Sequence, residues 1–477
     1  MAGRNLIVIV ADTLRDPRTL GPQGPTLMPY LNDLATRGTM FPRLLASSSW
    51  TAPSHVSLLS GTDPWETHFH MPGQGRRPPT NESIADKWRK AGGVSAAFSA
   101  NFLVAPQVGT ATGYDRFNPG FPAVPAGVAQ LLVTQFGYER LLYRALAAGG
   151  EPSSSALSRA WDTMARVSGT ALYKSINSMR SGDTMLRSLG RYLRGRRPGA
   201  PPLHLFFNIA EAHEPYLVGQ NGGTPGSPAG DGHLPSINWA RFNDLLVHRN
   251  HPVPFAEAYA ASLRSVDDLF ARMMERFRRA GLLDNAVLAF LSDHGQNLGE
   301  HGYYGHGFYL YDELVKVPGY LWEFKDGHPL PIASPPDQWV DHRHVFDMLS
   351  SALPSGAPLD PFFSLQESLL RRGPAASYFE GPGPRPPDGP VVKAPRSKPY
   401  RILRVQRDEE MALVGSDVDG KNLRAEAADS PDPLSEELAY IGKGILSHIA
   451  GRALSASDTP SGMDAAVDAR LKSWGYD

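Results

Sequence analysis

Three short, mainly apolar runs recur along the chain, and acidic or histidine residues follow each of them. The runs are residues 6–10, 203–209 and 286–291, and the polar residues that follow them are Asp12, His213, Asp293 and His294. The first run is β-branched and unbroken, which predicts a central strand buried on both faces of a parallel sheet, and the two later runs repeat its pattern. Because such sheets bind ligands at the carboxyl ends of their strands, the polar residues are predicted to lie at one sheet edge.

Helical periodicity occupies the segments between these runs. In residues 255–281, apolar residues recur at three- and four-residue intervals, after Pro254 and before Gly281. This pattern predicts a long amphipathic helix, and we interpret its stripe of Met and aromatic residues as core packing and not as a cofactor site. Residues 126–200 also have helical character, and they are predicted to form an insertion that covers the sheet or the mouth of a site.

Glycine and proline concentrate in two later segments, residues 219–232 and 373–390. Both are predicted to be loops, and the second is also a predicted domain boundary. Beyond it, residues 400–405 and 411–414 predict a small antiparallel sheet, and residues 435–453 predict a helix.

Length and pattern together predict an α/β fold in two parts. At 477 residues the chain is long enough for one large domain with a smaller appendage. We expect a large mixed, mainly parallel sheet sandwiched by helices in residues 1–372, with the helical insertion at about 126–200. Residues 373–477 are expected to form a C-terminal subdomain with the small antiparallel sheet and a helix.

Charge and cysteine content narrow the classes of partner. The 47 Lys and Arg residues balance 48 Asp and Glu residues, which leaves a net charge of −1 and no general attraction to nucleic acid or to an anionic membrane. The absence of cysteine excludes disulfides, thiolate nucleophiles and Cys-ligated zinc or iron–sulfur clusters. The first apolar run has five residues, which is too short for the core of a signal peptide, and no run approaches the roughly 20 apolar residues that span a bilayer. We expect a cytoplasmic protein with a small-molecule partner, and association of identical chains is left open.

The most informative segment is residues 47–61, SSSWTAPSHVSLLSG. Pro53 suits the first turn of a helix and Gly61 suits its end, so Thr51 is predicted to lie just before the helix N-terminus. The unpaired amides and the positive end of the helix dipole would then face its hydroxyl, which could attack a substrate or hold an oxyanion. Taken alone, a threonine at this position more often serves as a helix cap.

The strand-end residues supply ligands of the kind that bind divalent metals. Asp12, Asp293 and His294, together with the oxygen of Thr51, are predicted to form a four-ligand site. An aliphatic alcohol needs such a metal beside it, because its proton is too weakly acidic to leave at neutral pH. Zn²⁺, Mn²⁺, Mg²⁺ and Ca²⁺ remain candidates, although a histidine ligand argues against an all-oxygen calcium site.

Two further histidines are candidates for contact with the substrate. His213 and His306 could neutralise the transferring oxygens or protonate a leaving group. A second, weaker metal site at these residues is left open.

Six segments of the chain resemble, in the same order, the sulfatases and their relatives in the alkaline phosphatase superfamily. They are residues 5–15, 28–38, 51–55, 206–216, 292–295 and 305–318, and they extend over most of the chain. The resemblance implies a sulfatase-like fold and a metal-dependent ester hydrolase that acts on a small anionic ester. Thr51 falls on the nucleophile motif, and His55, His213 and His306 are the other catalytic candidates. We expect Thr13 and Asn101 to contact the substrate.

The departures from the sulfatase pattern point to phosphorus chemistry. Sulfatases have Cys or Ser at the position of Thr51 and oxidise it to formylglycine, an aldehyde that threonine cannot form. Many of them also have a second Asp at Thr13, Arg at His55 and Lys at His306. The site is more similar to the phosphoryl-transfer branches, among them phosphoethanolamine and glycerophosphate transferases, which use an unmodified Thr and histidines.

These features predict a metal-dependent hydrolase of phosphate monoesters, diesters or phosphonate esters that works through a phosphothreonine intermediate. Three alternatives stay open. They are a sulfate-ester hydrolase, a transferase that shares the first chemical step, and a catalytically inactive binding protein with the same fold.

Overall fold

The computed structural model describes thirteen stretches of the chain, and the strands and helices lie within them. The stretches are residues 3–66, 81–101, 103–119, 182–197, 199–213, 255–302, 304–307, 309–332, 334–352, 360–381, 400–417, 424–426 and 435–451. The strands are β1 Asn5–Ala11, β2 Thr39–Met40, β3 Leu44–Leu45, β4 Val94–Ser99, β5 Arg116–Pro119, β6 Leu203–Ile209, β7 Asn285–Ser292, β8 Asn297–Leu298, β9 Tyr304–Gly305, β10 Gly319–Lys325, β11 His328–Leu330, β12 Val340–Asp341, β13 Ala375–Gly381, β14 Tyr400–Arg407, β15 Glu410–Asp417 and β16 Arg424–Glu426. The α-helices are α1 Pro29–Ala35, α2 Thr51–Ser60, α3 Ile84–Lys90, α4 Gly182–Arg194, α5 Phe255–Arg279, α6 Asp312–Val315, α7 His342–Ser351, α8 Pro361–Arg372 and α9 Glu436–Ile449.

The three apolar runs form the centre of an eight-stranded sheet. Its order is β11-β10-β7-β1-β6-β4-β5, and β2 pairs with β10. Strand β1 pairs in parallel with β6 on one side and β7 on the other. Strands β4 and β5 continue the parallel part, whereas β10 runs antiparallel to β7. The prediction of a large mixed, mainly parallel sheet is confirmed.

Both faces of this sheet are covered, because alternate residues of β1 belong to two different cores. Leu6, Val8 and Val10 pack in a cluster with residues of α2, α3, α7 and α8. Ile7 and Ile9 pack in a second cluster with residues of α1, α4 and α5. A strand buried on both faces explains why this run is continuously apolar instead of alternating. The arrangement confirms the predicted α/β sandwich.

The long helix predicted in residues 255–281 is also confirmed. It is α5, and its apolar stripe lies in the second cluster as core, as expected for an amphipathic helix packed on a sheet. Helix α4 is the described part of the predicted helical insertion. Residues 126–181 of that insertion and the predicted loop at 219–232 lie outside the described residues.

The C-terminal part contains a separate antiparallel sheet, β13-β14-β15-β16, against which α9 packs. The hairpin and the helix predicted there are confirmed. The loop predicted at 373–390 is wrong for Ala375–Gly381, which is β13 and pairs with β14 along its full length. Its tyrosine and phenylalanine are buried, so this stretch has a packing role that the neighbouring glycines and prolines concealed. The limits of the two domains stay a prediction.

This small sheet holds segments of the main domain that lead to the predicted site. The amide of Tyr378 donates to the carbonyl of Ser47 at 2.9 Å, and the hydroxyl of Ser48 donates to the carbonyl of Tyr378 at 2.7 Å. The fully buried Arg404 forms an ion pair with Asp312, six residues after His306. The segments that carry Thr51 and His306 are therefore fixed from the C-terminal side.

Candidate active site

Two acidic residues lie side by side at the carboxyl edge of the sheet. Asp12 directly follows β1 and Asp293 directly follows β7, and the last residues of these parallel strands, Ala11 and Ser292, are paired in register. Both carboxyl groups are completely buried. Their closeness is thus a consequence of strand order, since parallel neighbours end at the same edge.

Each carboxylate has one oxygen that is held by hydrogen bonds and one that is not. Oδ2 of Asp12 accepts from Nδ2 of Asn101 at 2.7 Å and from Nδ2 of Asn208 at 3.4 Å. Oδ1 of Asp293 accepts from the amides of Thr13 at 3.1 Å and His294 at 2.9 Å. Oδ1 of Asp12 and Oδ2 of Asp293 are buried and have no hydrogen-bond partner. Buried anionic oxygens without a donor are costly unless a cation compensates them.

The third group of this set is the imidazole of His294. Its Nδ1 lies 2.9 Å from the carbonyl of Gly295 and can only donate there, so the lone pair is on Nε2. Nε2 lies 3.8 Å from Oδ1 of Asp12 and 3.5 Å from Oδ2 of Asp293, the two unpartnered oxygens. One ligand atom from each of the three residues falls within 4.8 Å of the others. These residues therefore fit a divalent metal, with the backbone and amide contacts orienting the ligands.

The electrostatics of the buried set also suit a cation. Burial, reinforced by the neighbouring Asp12, raises the pKa of Asp293 well above its usual value. Burial opposes ionisation of Asp12 as well, but His213, His294 and the amide of Asn101 together lower its pKa to about 2. Burial and the nearby His306 lower the pKa of His294, which keeps its imidazole neutral and able to coordinate. Without a cation, the ionised Asp12 disfavours the ionised form of Asp293.

Thr51 is the first residue of α2, and the extended residue Trp50 is its N-cap. The prediction that Thr51 lies just before the helix was therefore one residue off, whereas Gly61 ends the helix in the left-handed conformation as expected. No side chain caps this helix. The hydroxyl of Thr51 instead lies 3.3 Å from Nε2 of His294, next to the metal-ligand atoms. The capping alternative therefore does not describe this residue.

Two more histidines stand next to this set. The ring centroid of His306 lies 4.5 Å from that of His294 and 4.9 Å from that of His213. Nδ1 of His306 lies 2.9 Å from Oε1 of Gln296, which fixes the orientation of the ring. His213 and His306, both half-buried, thus lie beside the ligand set.

His55 lies behind Thr51 and has no contact with solvent. Its Nδ1 is 2.9 Å from the carbonyl of Thr51 and 3.4 Å from Oδ2 of Asp293. Burial lowers the pKa of His55, which favours its neutral form. Its contacts hold the first turn of α2 against the ligand set.

Thr13 adopts an unusual backbone conformation beside the same carboxylates. Its φ is 60°, uncommon for a β-branched residue, and the hydroxyl of Tyr259 donates to its carbonyl at 2.8 Å. The amide of Thr13 reaches Asp293, while its own hydroxyl is buried without a hydrogen-bond partner. The strained turn thus orients one ligand.

A family model described as Sulfatase matches residues 4–352. The chain belongs to the sulfatase family. The expected enzyme class, a hydrolase of the sulfatase and alkaline phosphatase superfamily, is thereby confirmed. Mouse iduronate 2-sulfatase is 22% identical over 421 residues, which cover 77% of this chain and 72% of the relative.

Solved structures similar to this chain include two enzymes. The phosphonate monoester hydrolase of Agrobacterium radiobacter has a TM-score of 0.48 at 15% identity, and the match covers 88% of each chain. The C-terminal periplasmic domain of phosphoethanolamine transferase from Campylobacter jejuni has a TM-score of 0.45 at 14% identity, and the match covers 76% of this chain and 94% of that domain.

The nine residues predicted for the site of this sulfatase-family protein are all among the described residues, and they lie around one sheet edge. They are Asp12, Thr13, Thr51, His55, Asn101, His213, Asp293, His294 and His306. Their individual roles stay predictions. Asn101 is engaged with Asp12 and, through Oδ1, with the amide of Leu103 at 2.9 Å, so its structural partners are protein groups.

Three residues of the site were missed by sequence reasoning. Gln296 orients His306, and Asn208 contacts both Asp12 and His55. His342 links the two halves of the site, because its Nδ1 accepts from the amide of Ser47 at 3.3 Å and its Nε2 donates to the carbonyl of Ser292 at 3.0 Å. Of these three residues, only Asn208 could have been noticed in the sequence, because it is a polar residue within a mainly apolar run.

Among the described residues, no helix combines the length and the apolar character that crossing a bilayer requires. The cytoplasmic location, the small-molecule partner and the lack of nucleic-acid and membrane partners stay predictions.

Proposed function

We propose that this sulfatase-family protein hydrolyses phosphate esters (monoesters, diesters or phosphonate esters) through a phosphothreonine at Thr51. The observation that carries the proposal is the position of an unmodified threonine hydroxyl at the N-terminus of α2, 3.3 Å from Nε2 of His294. The amides of the first helical turn and the dipole of the ten-residue helix favour negative charge there.

Threonine at this position favours phosphorus over sulfur because of the second half of the reaction. A sulfated formylglycine can expel sulfate by re-forming its aldehyde, but a sulfated threonine has no such route and must wait for water to attack sulfur. A phosphorylated threonine can be attacked in line by water at phosphorus. An enzyme with Thr51 as nucleophile would therefore stall on sulfate esters and turn over phosphate esters.

The proposed reaction has two displacements at phosphorus. Oγ of Thr51 attacks, the new Oγ–P bond forms, and the bond to the leaving oxygen breaks with its electron pair remaining on that oxygen. His213 or His306 donates a proton to the leaving oxygen, and the hydroxyl proton of Thr51 passes to solvent. Water then attacks phosphorus, the Oγ–P bond breaks with its electron pair on Oγ, the proton that water loses passes to Oγ of Thr51, and the histidine regains its proton from solvent.

Asp12, Asp293, His294 and Thr51 would hold the divalent metal. When bound, that metal would supply Lewis acidity, which favours ionisation of a hydroxyl and neutralises phosphoryl oxygens. His55 keeps the carbonyl of Thr51 in place through Nδ1. Thr51 is only 2% exposed, so few water molecules can compete with the substrate for its hydroxyl.

One alternative has its own support. Membership of the sulfatase family and the match to mouse iduronate 2-sulfatase favour a sulfate-ester hydrolase. A transferase that passes the phosphoryl group to another alcohol would share Thr51 and the first displacement, and the products distinguish it from a hydrolase.

The test compares an aryl phosphate, a bis-aryl phosphate, a phosphonate ester and an aryl sulfate, each with Zn²⁺, Mn²⁺, Mg²⁺ and Ca²⁺. We expect a phosphorus ester to be the best substrate, Thr51→Ala to lower kcat by at least about 10³-fold, and mass spectrometry of quenched enzyme to find phosphate on the peptide with Thr51. Thr36→Ala, at an exposed helix end, is the control. Faster hydrolysis of the sulfate, or full activity of Thr51→Ala, would overturn the proposal.

A further inference from the structure

Asn208 is a polar residue in the middle of the main sheet, and neither the resemblance nor the strand-end pattern assigns it a role. It belongs to β6, opposite Val10 of β1 and Ser99 of β4, and it is completely buried. A buried amide in a central strand costs free energy unless its donors and acceptor are used. Its partners therefore indicate what it does.

The orientation of the Asn208 amide follows from one of these partners. The backbone amide of Asn101 can only donate, and it lies 3.1 Å from Oδ1 of Asn208, so this atom is the oxygen. The hydroxyl of Ser99 lies 3.4 Å from the same oxygen. Nδ2 then points the other way, at 3.4 Å from both Oδ2 of Asp12 and Nε2 of His55.

This orientation determines the tautomer of His55. Nδ2 of Asn208 belongs to an amide NH2 group, which can only donate a hydrogen bond. Nε2 of His55 must therefore be the acceptor, and the proton of the neutral His55 ring must be on Nδ1. A protonated Nδ1 can donate to the carbonyl of Thr51, which lies 2.9 Å away. The opposite tautomer would place a lone pair against that carbonyl and would release the first turn of α2.

The same amide determines which oxygen of Asp12 is available. Asn208 and Asn101 both donate to Oδ2, which leaves Oδ1 as the oxygen without a hydrogen bond. Oδ1 is also the oxygen 3.8 Å from Nε2 of His294. Asn208 thus contacts a metal ligand and, through His55, the backbone of the nucleophile residue.

We propose that Asn208 is a positioning residue that sets both the metal-facing oxygen of Asp12 and the tautomer of His55, and so couples metal affinity to the placement of Thr51. The proposal rests on the metal site but not on which ester is cleaved.

The test measures metal binding by the metal-free full chain, titrated with Zn²⁺ against a competing chelator. Asn208→Leu keeps the approximate shape and removes both amide donors. We expect its Zn²⁺ affinity to fall about 10- to 100-fold, the size typical for loss of an outer-shell hydrogen bond. Asn208→Ser, which is smaller and uncharged, should show a loss in the same direction if the leucine variant folds poorly.

Asn5→Leu is the matched control. Asn5 is the first residue of β1 and lies at the N-terminal end of the strand, away from the site. Its Nδ2 donates to the carbonyl of Leu282 at 3.0 Å, and its Oδ1 accepts from the amide of Leu203 at 2.9 Å. This variant should lose thermal stability while its Zn²⁺ affinity stays within about twofold of wild type, because the control lies outside the ligand network.

A second measurement reads the tautomer directly. In metal-free protein labelled with ¹⁵N-histidine, His55 should carry its proton on Nδ1, and Asn208→Leu should shift or mix this signal while Asn5→Leu leaves it unchanged. Wild-type Zn²⁺ affinity in a folded Asn208 variant, an equal loss in Asn5→Leu, or failure of both Asn208 variants to fold would overturn the proposal. Since no substrate is involved, these outcomes are independent of whether the phosphate-ester proposal holds.

Discussion

Replacement of Asp293 by asparagine is expected to stabilise the metal-free protein and to weaken its metal binding at the same time. Oδ2 of Asp293 is buried without a hydrogen-bond partner, and it lies 3.5 Å from Nε2 of His294. An asparagine can keep its oxygen at the position that accepts from the amides of Thr13 and His294. Its Nδ2 then takes the place of the unpartnered oxygen and can donate to Nε2 of His294, while the repulsion from Asp12 disappears.

The magnitude has two parts of opposite sign. A buried polar group without a partner costs about 1–3 kcal/mol, so the metal-free variant should gain up to that amount of unfolding free energy. With metal at 1,000 times its Kd, the wild-type protein gains about 4.1 kcal/mol from binding. If loss of a direct ligand weakens binding about 100-fold, the same concentration stabilises the variant by only about 1.4 kcal/mol.

The assay is thermal unfolding of both proteins in chelator and in excess Zn²⁺, with metal content measured after gel filtration. Asp33→Asn, at an exposed position of α1, is the control for loss of one negative charge. The expected pattern is a higher Tm for the variant in chelator and a much smaller metal-dependent rise. Stoichiometric metal at wild-type affinity in Asp293→Asn, or a variant less stable than wild type in chelator, would refute the ligand assignment.

Two more predictions follow from other histidines. His213→Ala and His306→Ala should each lower kcat on the best phosphorus ester by about 10²- to 10⁴-fold with the fold intact, and near-wild-type turnover in both would contradict their role at the substrate. The second concerns pH: burial lowers the pKa of His204 to about 4 from 6.5, so the unfolded chain takes up a proton that the folded protein excludes. Stability should therefore fall by about 2 kcal/mol from this residue between pH 7 and pH 5. Urea unfolding should show that His204→Gln removes this part of the slope, and an unchanged slope would show that His204 is not responsible.

The central sheet could be predicted from the sequence because its strands appear as short, continuous apolar runs. A strand that is buried on both faces favours an apolar residue at every position, and nearly all residues of β1, β6 and β7 are apolar and buried. The ends of these strands then follow from where the apolar run stops. Asp12, Asp293 and His294 could be placed together by this rule, before any pairing was known.

Other parts of the molecule depend on contacts that have no local signature. Strand β13 lies next to glycines and prolines, and it is a strand because β14 offers it a complete set of hydrogen-bond partners. Gln296 and His342 act on groups 10 and 50 residues away in the chain, His306 and Ser292 respectively. Only the folded chain brings such pairs together, so their roles could not be read from spacing.

The unpartnered oxygens explain why the site needs so much surrounding structure. A metal-free pair of buried carboxyl groups and a strained Thr13 each oppose folding, and they persist only because other parts of the protein outweigh them. The two apolar clusters on either face of the sheet supply that excess, and Tyr259, His342 and the C-terminal sheet fix the loops in which the strain is stored. Binding of a cation would relieve the same cost. Across variants of this edge, metal affinity and the stability of the protein in excess metal should therefore rise and fall together. Variants that relieve the cost by other means, such as Asp293→Asn, should break that correlation.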